Sequence, residues 1–138
     1  MRQAQETFTT ATRGRGFVDL TAQTAAFVAR SGVSTGLLTL FCRHTSASLA
    51  IQENADPAVL RDLMAWLTRL APEGPHYAHD DEGPDDMPAH LRSVLTQTAL
   101  TIPIVGGRLA LGTWQAIYLI EHRARPHRRE IVAHAMGA

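Results

Sequence analysis

Ala99-Leu100-Thr101-Ile102-Pro103-Ile104-Val105-Gly106-Gly107-Arg108-Leu109-Ala110-Leu111-Gly112-Thr113-Trp114-Gln115-Ala116-Ile117-Tyr118-Leu119-Ile120-Glu121 decides the fold. Residues 99–105 form a short apolar run with the composition of a strand. Pro103 donates no backbone hydrogen bond, so the strand belongs at an edge or at a bulge. Gly106-Gly107 suits a two-residue hairpin turn. Residues 108–111 return, Gly112 permits a bend, and residues 114–120 continue as a strand into Glu121-His122-Arg123. After a turn at Pro126, a closing strand is expected around residues 130–134. Consecutive short strands joined by tight turns are antiparallel.

Working back from there, helices alternate with strands. Gly36 opens Leu37-Leu38-Thr39-Leu40-Phe41-Cys42, almost continuously apolar and read as a strand buried on both faces. It runs into His44-Thr45-Ser46-Ala47-Ser48-Leu49-Ala50-Ile51-Gln52-Glu53. If this part is extended, His44, Ser46, Ser48 and Gln52 share one face, and Ala47, Leu49 and Ile51 the other. Asp56-Pro57 is a helix start, with Leu60, Leu63, Met64, Leu67 and Leu70 at helical spacing and Trp66 joining them. An earlier helix is expected over 22–30, with Thr21 as its N-cap and Gly32 ending it in a positive φ. A third should begin near Met87-Pro88, with Leu91, Val94 and Leu95 turned inward. Residues 3–12 alternate loosely, as a half-exposed strand does. The expectation is one α+β domain over 1–138, with about seven mainly antiparallel or mixed strands covered by about three helices.

At 138 residues the chain is long enough for one ordinary core, and 45% apolar with 19% charged residues excludes a disordered chain. Thirteen basic residues balance thirteen acidic ones, which argues against nucleic-acid binding driven by bulk charge. Every basic residue is arginine, which excludes lysine Schiff-base chemistry. No apolar run approaches the ~20 residues of a membrane-spanning helix. The single Cys42 forms no internal disulfide, which suits a reducing compartment, so a cytoplasmic location is expected.

The chemistry concentrates in His76–Arg92, which holds three of the seven histidines and five of the thirteen acidic residues. His44, His79, His90 and His122 are candidate metal ligands. Three histidines with an open position suit Zn²⁺, and Asp80, Asp85 and Asp86 are ligands or orienting groups. The spacing matches neither HExxH nor CxxC, so surface or hydrogen-bonded histidines remain the alternative. Arg108, Arg123, Arg125, Arg128 and Arg129 form either a solvated basic surface or a phosphate clamp.

His44-Thr45-Ser46-Ala47-Ser48-Leu49, Glu53-Asn54-Ala55-Asp56-Pro57, Glu82 to His90, Gly107-Arg108, Gly112-Thr113-Trp114-Gln115 and Glu121-His122-Arg123 occur in that order. Together they resemble the YjbQ-type family, often labelled secondary thiamine-phosphate synthase. The resemblance implies a homotrimer that weakly condenses an aminopyrimidine diphosphate with a thiazole phosphate. It implies that His44, His79 and His90 hold a divalent ion of zinc or magnesium type. Asp86 and Glu121 would orient these ligands or move protons. Arg108, Thr113, Gln115 and Arg123 would bind the small phosphorylated substrate. A metal- or anion-binding trimer without catalysis, and a metal-dependent hydrolase of a phosphorylated metabolite, are the alternatives. Gln97 and Ala116 stand where this pattern usually has glycine.

Overall fold

The computed structural model describes residues 1–138 and contains three helices and eight strands. In chain order these are β1 (Arg2–Ala11), β2 (Gly16–Asp19), α1 (Thr21–Ser31), β3 (Thr35–Cys42), β4 (Ala47–Glu53), α2 (Pro57–Leu70), α3 (Asp86–Leu95), β5 (Ala99–Val105), β6 (Arg108–Leu109), β7 (Gln115–Glu121) and β8 (Arg128–Gly137). They form two sheets, β1-β8-β3-β5-β6 and β2-β7-β4, in which every pairing is antiparallel. This is the expected α+β class with one more strand. The extra strand, β2, pairs Gly16–Asp19 with Tyr118–Glu121. Its four residues follow Arg13-Gly14-Arg15 too closely to show a period of their own.

The inner faces of the two sheets close on one core, with Leu38, Leu40, Ile131 and Ala133 from one and Leu49, Ile117 and Leu119 from the other. Phe27 of α1 completes it, edge-on to Phe8. The β7 strand is buried from Ala116 to Glu121, because α2 covers the other face of its sheet. Leu63, Trp66 and Leu67 of α2 border a small gap over Ala50 and Ile120. The opposite face of the five-stranded sheet carries no helix, and Leu37, Phe41, Val105 and Met136 are exposed.

Several local expectations change. His44–Glu53 is not one extended strand: residues 43–46 carry the chain from the five-stranded sheet to the three-stranded one, and β4 starts at Ala47. Thr21 does not cap α1 with its side chain. Its hydroxyl accepts from the Ile117 N–H, and its own N–H donates to Asp19 Oδ1. Gly32 takes the expected left-handed φ of 72°. Pro103 lies beside two-residue β6, where its carbonyl accepts from the Ala110 N–H, so it is near an edge as expected.

The α3 helix is the most informative departure. Its buried residues are Asp86, Pro88, Ala89 and Arg92, a stripe in which 86, 89 and 92 are three apart. Val94 is 83% exposed and Leu95 also lies outside. The helix presents polar side chains inward, because fixed partners await both ends of that stripe.

Candidate functional site

The residues after β7 grip the loop before α3. Arg123 donates from Nε to Asp85 Oδ2 and from Nη1 to Asp86 Oδ1, each at 2.9 Å, and from Nη2 to the Glu82 carbonyl at 3.0 Å. The Ala124 N–H also donates to Asp85 Oδ2. Arg123 has the expected anion-binding chemistry, but its anions are Asp85 and Asp86. All three arms of the guanidinium are engaged within the chain. Burial alone would raise the Asp85 pKa; its bonds to Arg123 and Ala124 outweigh burial and hold it below the ordinary aspartate value.

That clamp sets Asp86, whose other oxygen receives two imidazoles. His79 Nε2 lies 2.7 Å and His90 Nε2 3.2 Å from Asp86 Oδ2. One ligand atom from each of these residues falls within 4.8 Å of the others. His90 sits one turn after Asp86 on α3, and His79 comes from the loop. Burial would raise the Asp86 pKa, but the His79 hydrogen bond, His90 and Arg123 keep it below the ordinary value. The hydrogen bond to Asp86 lifts the His79 pKa.

His90 Nδ1 lies 3.0 Å from the Thr45 carbonyl. A carbonyl only accepts, so Nδ1 carries the ring proton. The neutral ring then turns a bare Nε2 lone pair toward a carboxylate oxygen. A second ring proton or a cation must lie between these two acceptors. Bonds of this kind, from His90 to the Thr45 carbonyl and from Arg123 to Asp86, hold metal ligands in orientation. Two imidazoles and one carboxylate suit Zn²⁺ or another first-row ion better than Mg²⁺, which prefers oxygen ligands.

Glu121 is placed differently. It is 0% exposed. Oε1 accepts from Thr12 Oγ1 at 2.6 Å and from Arg129 Nε at 2.8 Å. Oε2 accepts from Arg129 Nη2 and the Arg123 N–H. Burial would raise its pKa; Arg129, Thr12 and the backbone donor reverse the shift and hold it below the ordinary glutamate value. Arg129 is buried with it, not part of an exposed basic surface.

Neighbouring His122 is also fully buried, and its pKa falls to about 4, first through burial and then through Arg92. A hydroxyl relay fixes its tautomer. Thr96 Oγ1 donates to the Arg92 carbonyl and so accepts from Ser48 Oγ. Ser48 must then accept from His122 Nε2–H at 2.8 Å. Ser48 is therefore committed to this relay and does not hydrogen-bond His44.

The remaining expected site residues lie elsewhere. His44 is not among the three converging ligands; its Nε2 accepts from the Glu130 N–H at 2.7 Å. Gln115 stands at the opposite end of β7 from Glu121, six residues or roughly 20 Å away at strand rise. Its side chain accepts from the Gly112 N–H. Exposed Thr113 accompanies it, its carbonyl accepting from Asn54, and Arg108 is exposed on β6. One chain thus does not bring Arg108, Thr113 or Gln115 to the histidines. Asp80 and Glu82 are exposed. Gln97 bridges to Leu49 through its backbone, and Ala116 fits within the core.

Arg92, Thr96 and the Thr45 carbonyl were not foreseen as parts of this region. A buried arginine and a backbone acceptor have no distinguishing sequence signal.

Residues 5–138 match the family described as UPF0047 protein YjbQ-like. The chain is 56% identical to UPF0047 protein sll1880 of Synechocystis over 99% of its length and 93% of that protein. It is 42% identical to UPF0047 protein YjbQ of Escherichia coli O157:H7, covering 96% of this chain and 97% of the relative. Among solved structures, hypothetical protein APE1520 of Aeropyrum pernix K1 superposes with a TM-score of 0.89 at 29% identity, covering 98% of this chain and 99% of that one.

Proposed function

The chain belongs to the YjbQ-like UPF0047 family, and on that premise we propose that it is a metal-dependent enzyme acting on a small phosphorylated substrate. His79, Asp86 and His90 are its metal ligands. The observation that carries this reading is the convergence of His79 Nε2 and His90 Nε2 on Asp86 Oδ2, at 2.7 and 3.2 Å, with His90 Nδ1 held by the Thr45 carbonyl. A bound divalent ion would supply Lewis-acid stabilisation of charge developing on phosphoryl oxygens. Arg123 and Thr45 orient the ligands, and Asp86 is the residue that couples the clamp to the ion. Glu121 acts at a distance, by holding Arg129 and the start of the Arg123 segment in place.

The specific reaction we propose to assay is the condensation of an aminopyrimidine diphosphate with a thiazole phosphate. The thiazole nitrogen attacks the methylene, the methylene–oxygen bond breaks, and diphosphate leaves with the electron pair. No protein nucleophile is required, which is consistent with the enclosed positions of Cys42 and Ser48. Hydrolysis of a phosphate ester is the competing reading, favoured by the exposure of His79 to water. We also propose a homotrimer, supported by the uncovered sheet face bearing Leu37, Phe41, Val105 and Met136. Arg108, Thr113 and Gln115 reach substrate in this scheme only from a neighbouring copy.

The first measurement is Zn²⁺ titration of metal-stripped protein beside His79→Ala and Asp86→Asn. The expected result is one ion per chain in the parent and none retained by the variants. Equal binding by all three proteins sinks the ligand assignment. Product assays with and without metal then separate condensation from ester hydrolysis.

A further inference from the structure

An open pocket of about 810 Å³ adjoins the histidine–aspartate group, and His90 belongs to both. Its walls come mainly from the 41–46 segment and α3, with Thr98 and Arg129. No aspartate or glutamate lines it. The hydrogen-bond polarity of those walls follows from what each group already does.

His44 Nε2 accepts from the Glu130 backbone N–H. A backbone nitrogen only donates, so the neutral ring carries its proton on Nδ1. That N–H has no acceptor within the chain. Ser46 Oγ accepts from Arg129 Nη2 at 3.0 Å, which leaves the hydroxyl proton to be offered elsewhere. The Thr45 carbonyl takes the His90 N–H, whereas the Thr45 and Thr98 hydroxyls bond to nothing else in the chain. Arg43 sits at the rim, half-exposed and only loosely paired, 3.7 Å from Glu130. The groups offered to a ligand are thus an imidazole N–H and three hydroxyls without acceptors in the chain, and one guanidinium held only by Glu130 at 3.7 Å. A ligand complementary to them is rich in acceptors and negatively charged.

We propose that this pocket is an oxyanion subsite in which Arg43, His44 Nδ1–H and the hydroxyls of Thr45 and Ser46 receive a phosphoryl or carboxylate group of the substrate. The proposal rests on the metal-site reading for its meaning, since His90 is the wall shared by the two, but not for its test. Within one chain it moves anion recognition away from Arg123, each of whose three guanidinium nitrogens already holds an acceptor. It also assigns His44 a role as donor to substrate and not as metal ligand.

Metal-free protein is titrated calorimetrically with inorganic phosphate, inorganic diphosphate and malonate. Saturable binding of at least one is expected. Tighter binding of phosphate or diphosphate identifies a phosphoryl group, and tighter binding of malonate a carboxylate. Arg43→Gln and His44→Ala should each weaken binding about tenfold while Zn²⁺ stoichiometry stays at the parent value. Arg43 is exposed, so its variant remains informative if His44→Ala folds poorly. His79→Ala should lose Zn²⁺ and keep the anion. The proposal is overturned if none of the three anions binds metal-free protein, or if Arg43→Gln binds them as tightly as the parent. Failure of the metal reading shows separately, as absent Zn²⁺ binding in the parent.

Discussion

Two arginine–carboxylate pairs stand near the end of β7, and they differ in what they leave free. Arg129–Glu121 is sealed: a carboxylate offers about four lone-pair directions, and Thr12, Arg129 twice and the Arg123 N–H take four. Arg123–Asp86 is half-open: Arg123 takes Oδ1, while Oδ2 is turned to His79 and His90. The residue types are similar and the roles diverge. Saturation makes the first pair part of the fold, whereas the oxygen left over in the second gives it chemistry. The Arg123 segment joins them, because its N–H serves Glu121 while its side chain serves Asp86.

Breaking the sealed pair gives the largest expected effect. Glu121→Gln leaves the Arg129 charge buried without its counter-ion and should cost about 3–5 kcal/mol in urea denaturation. Arg123→Gln, on the half-open side, still leaves Asp86 its two imidazoles and should cost less, about 1.5–3 kcal/mol. Equal losses would erase the distinction between the pairs. Glu121 also has a pH signature. Its folded pKa lies below the ordinary 4.5, so its contribution is complete above that pH and is lost as pH falls through the folded value. Glu121→Gln should lack this acid limb.

The buried side can be sharpened at His122. Its pKa is about 4 in the fold against 6.5 ordinarily. Between those values the unfolded chain binds a proton that the folded chain refuses. Stability is therefore full above pH 6.5 and falls as pH drops toward 4, by on the order of 3 kcal/mol at 1.36 kcal/mol per unit. The curve for His122→Gln should be flatter over this window than the parent curve. Parallel curves would mean that His122 is not held neutral.

How much of this was readable in advance differs between the same two regions. The half-open site lies within one polar stretch, and Asp86 and His90 are one helical turn apart, so local spacing brought His79, Asp86 and His90 into view. The sealed pair needs the chain to cross from one sheet to the other after β7, so that Arg129 at the start of β8 returns to Glu121 at the end of β7, and an arginine looks the same in sequence whether it will be solvated or enclosed. His44 lies apart from the three converging ligand atoms for a related reason. The crossover at residues 43–46, which follows the apolar run ending at Cys42, has no glycine or proline to mark it, and only the pairing of β8 with β3 puts the Glu130 N–H against the His44 ring. Strands β3 and β5 and helix α2 carry their own punctuation of glycine, proline and N-cap and were legible locally.

The half-open side yields the next effect. Arg123→Gln should lower Zn²⁺ affinity about 10–100-fold, the range for loss of a group that orients a ligand. Arg123→Lys keeps the charge but cannot reproduce the three directed bonds to Asp85, Asp86 and Glu82. It should recover less than half of the lost binding free energy. Full recovery by lysine would mean that charge alone supports Asp86 and that the fork geometry is incidental.

The smallest expected effect tests why the half-open site exists at all. Helical spacing alone makes Val94 a core residue, for which Val94→Ser should cost about 1–3 kcal/mol through lost apolar burial. In the structure α3 is rotated so that Asp86, Ala89 and Arg92 face inward and Val94 faces out. The same substitution should then cost less than about 0.5 kcal/mol. Ala89→Leu supplies the contrast, because it adds volume on the buried stripe and should cost about 1–3 kcal/mol. The rotation follows from two attachments: Arg92 Nη2 donates to the Ala71 carbonyl at one end of the stripe, and Asp86 accepts from Arg123 at the other. A helix turned to bury Val94 would carry Asp86 away from the clamp. A large loss from Val94→Ser with none from Ala89→Leu would therefore count against both the helix orientation and the placement of the metal ligands.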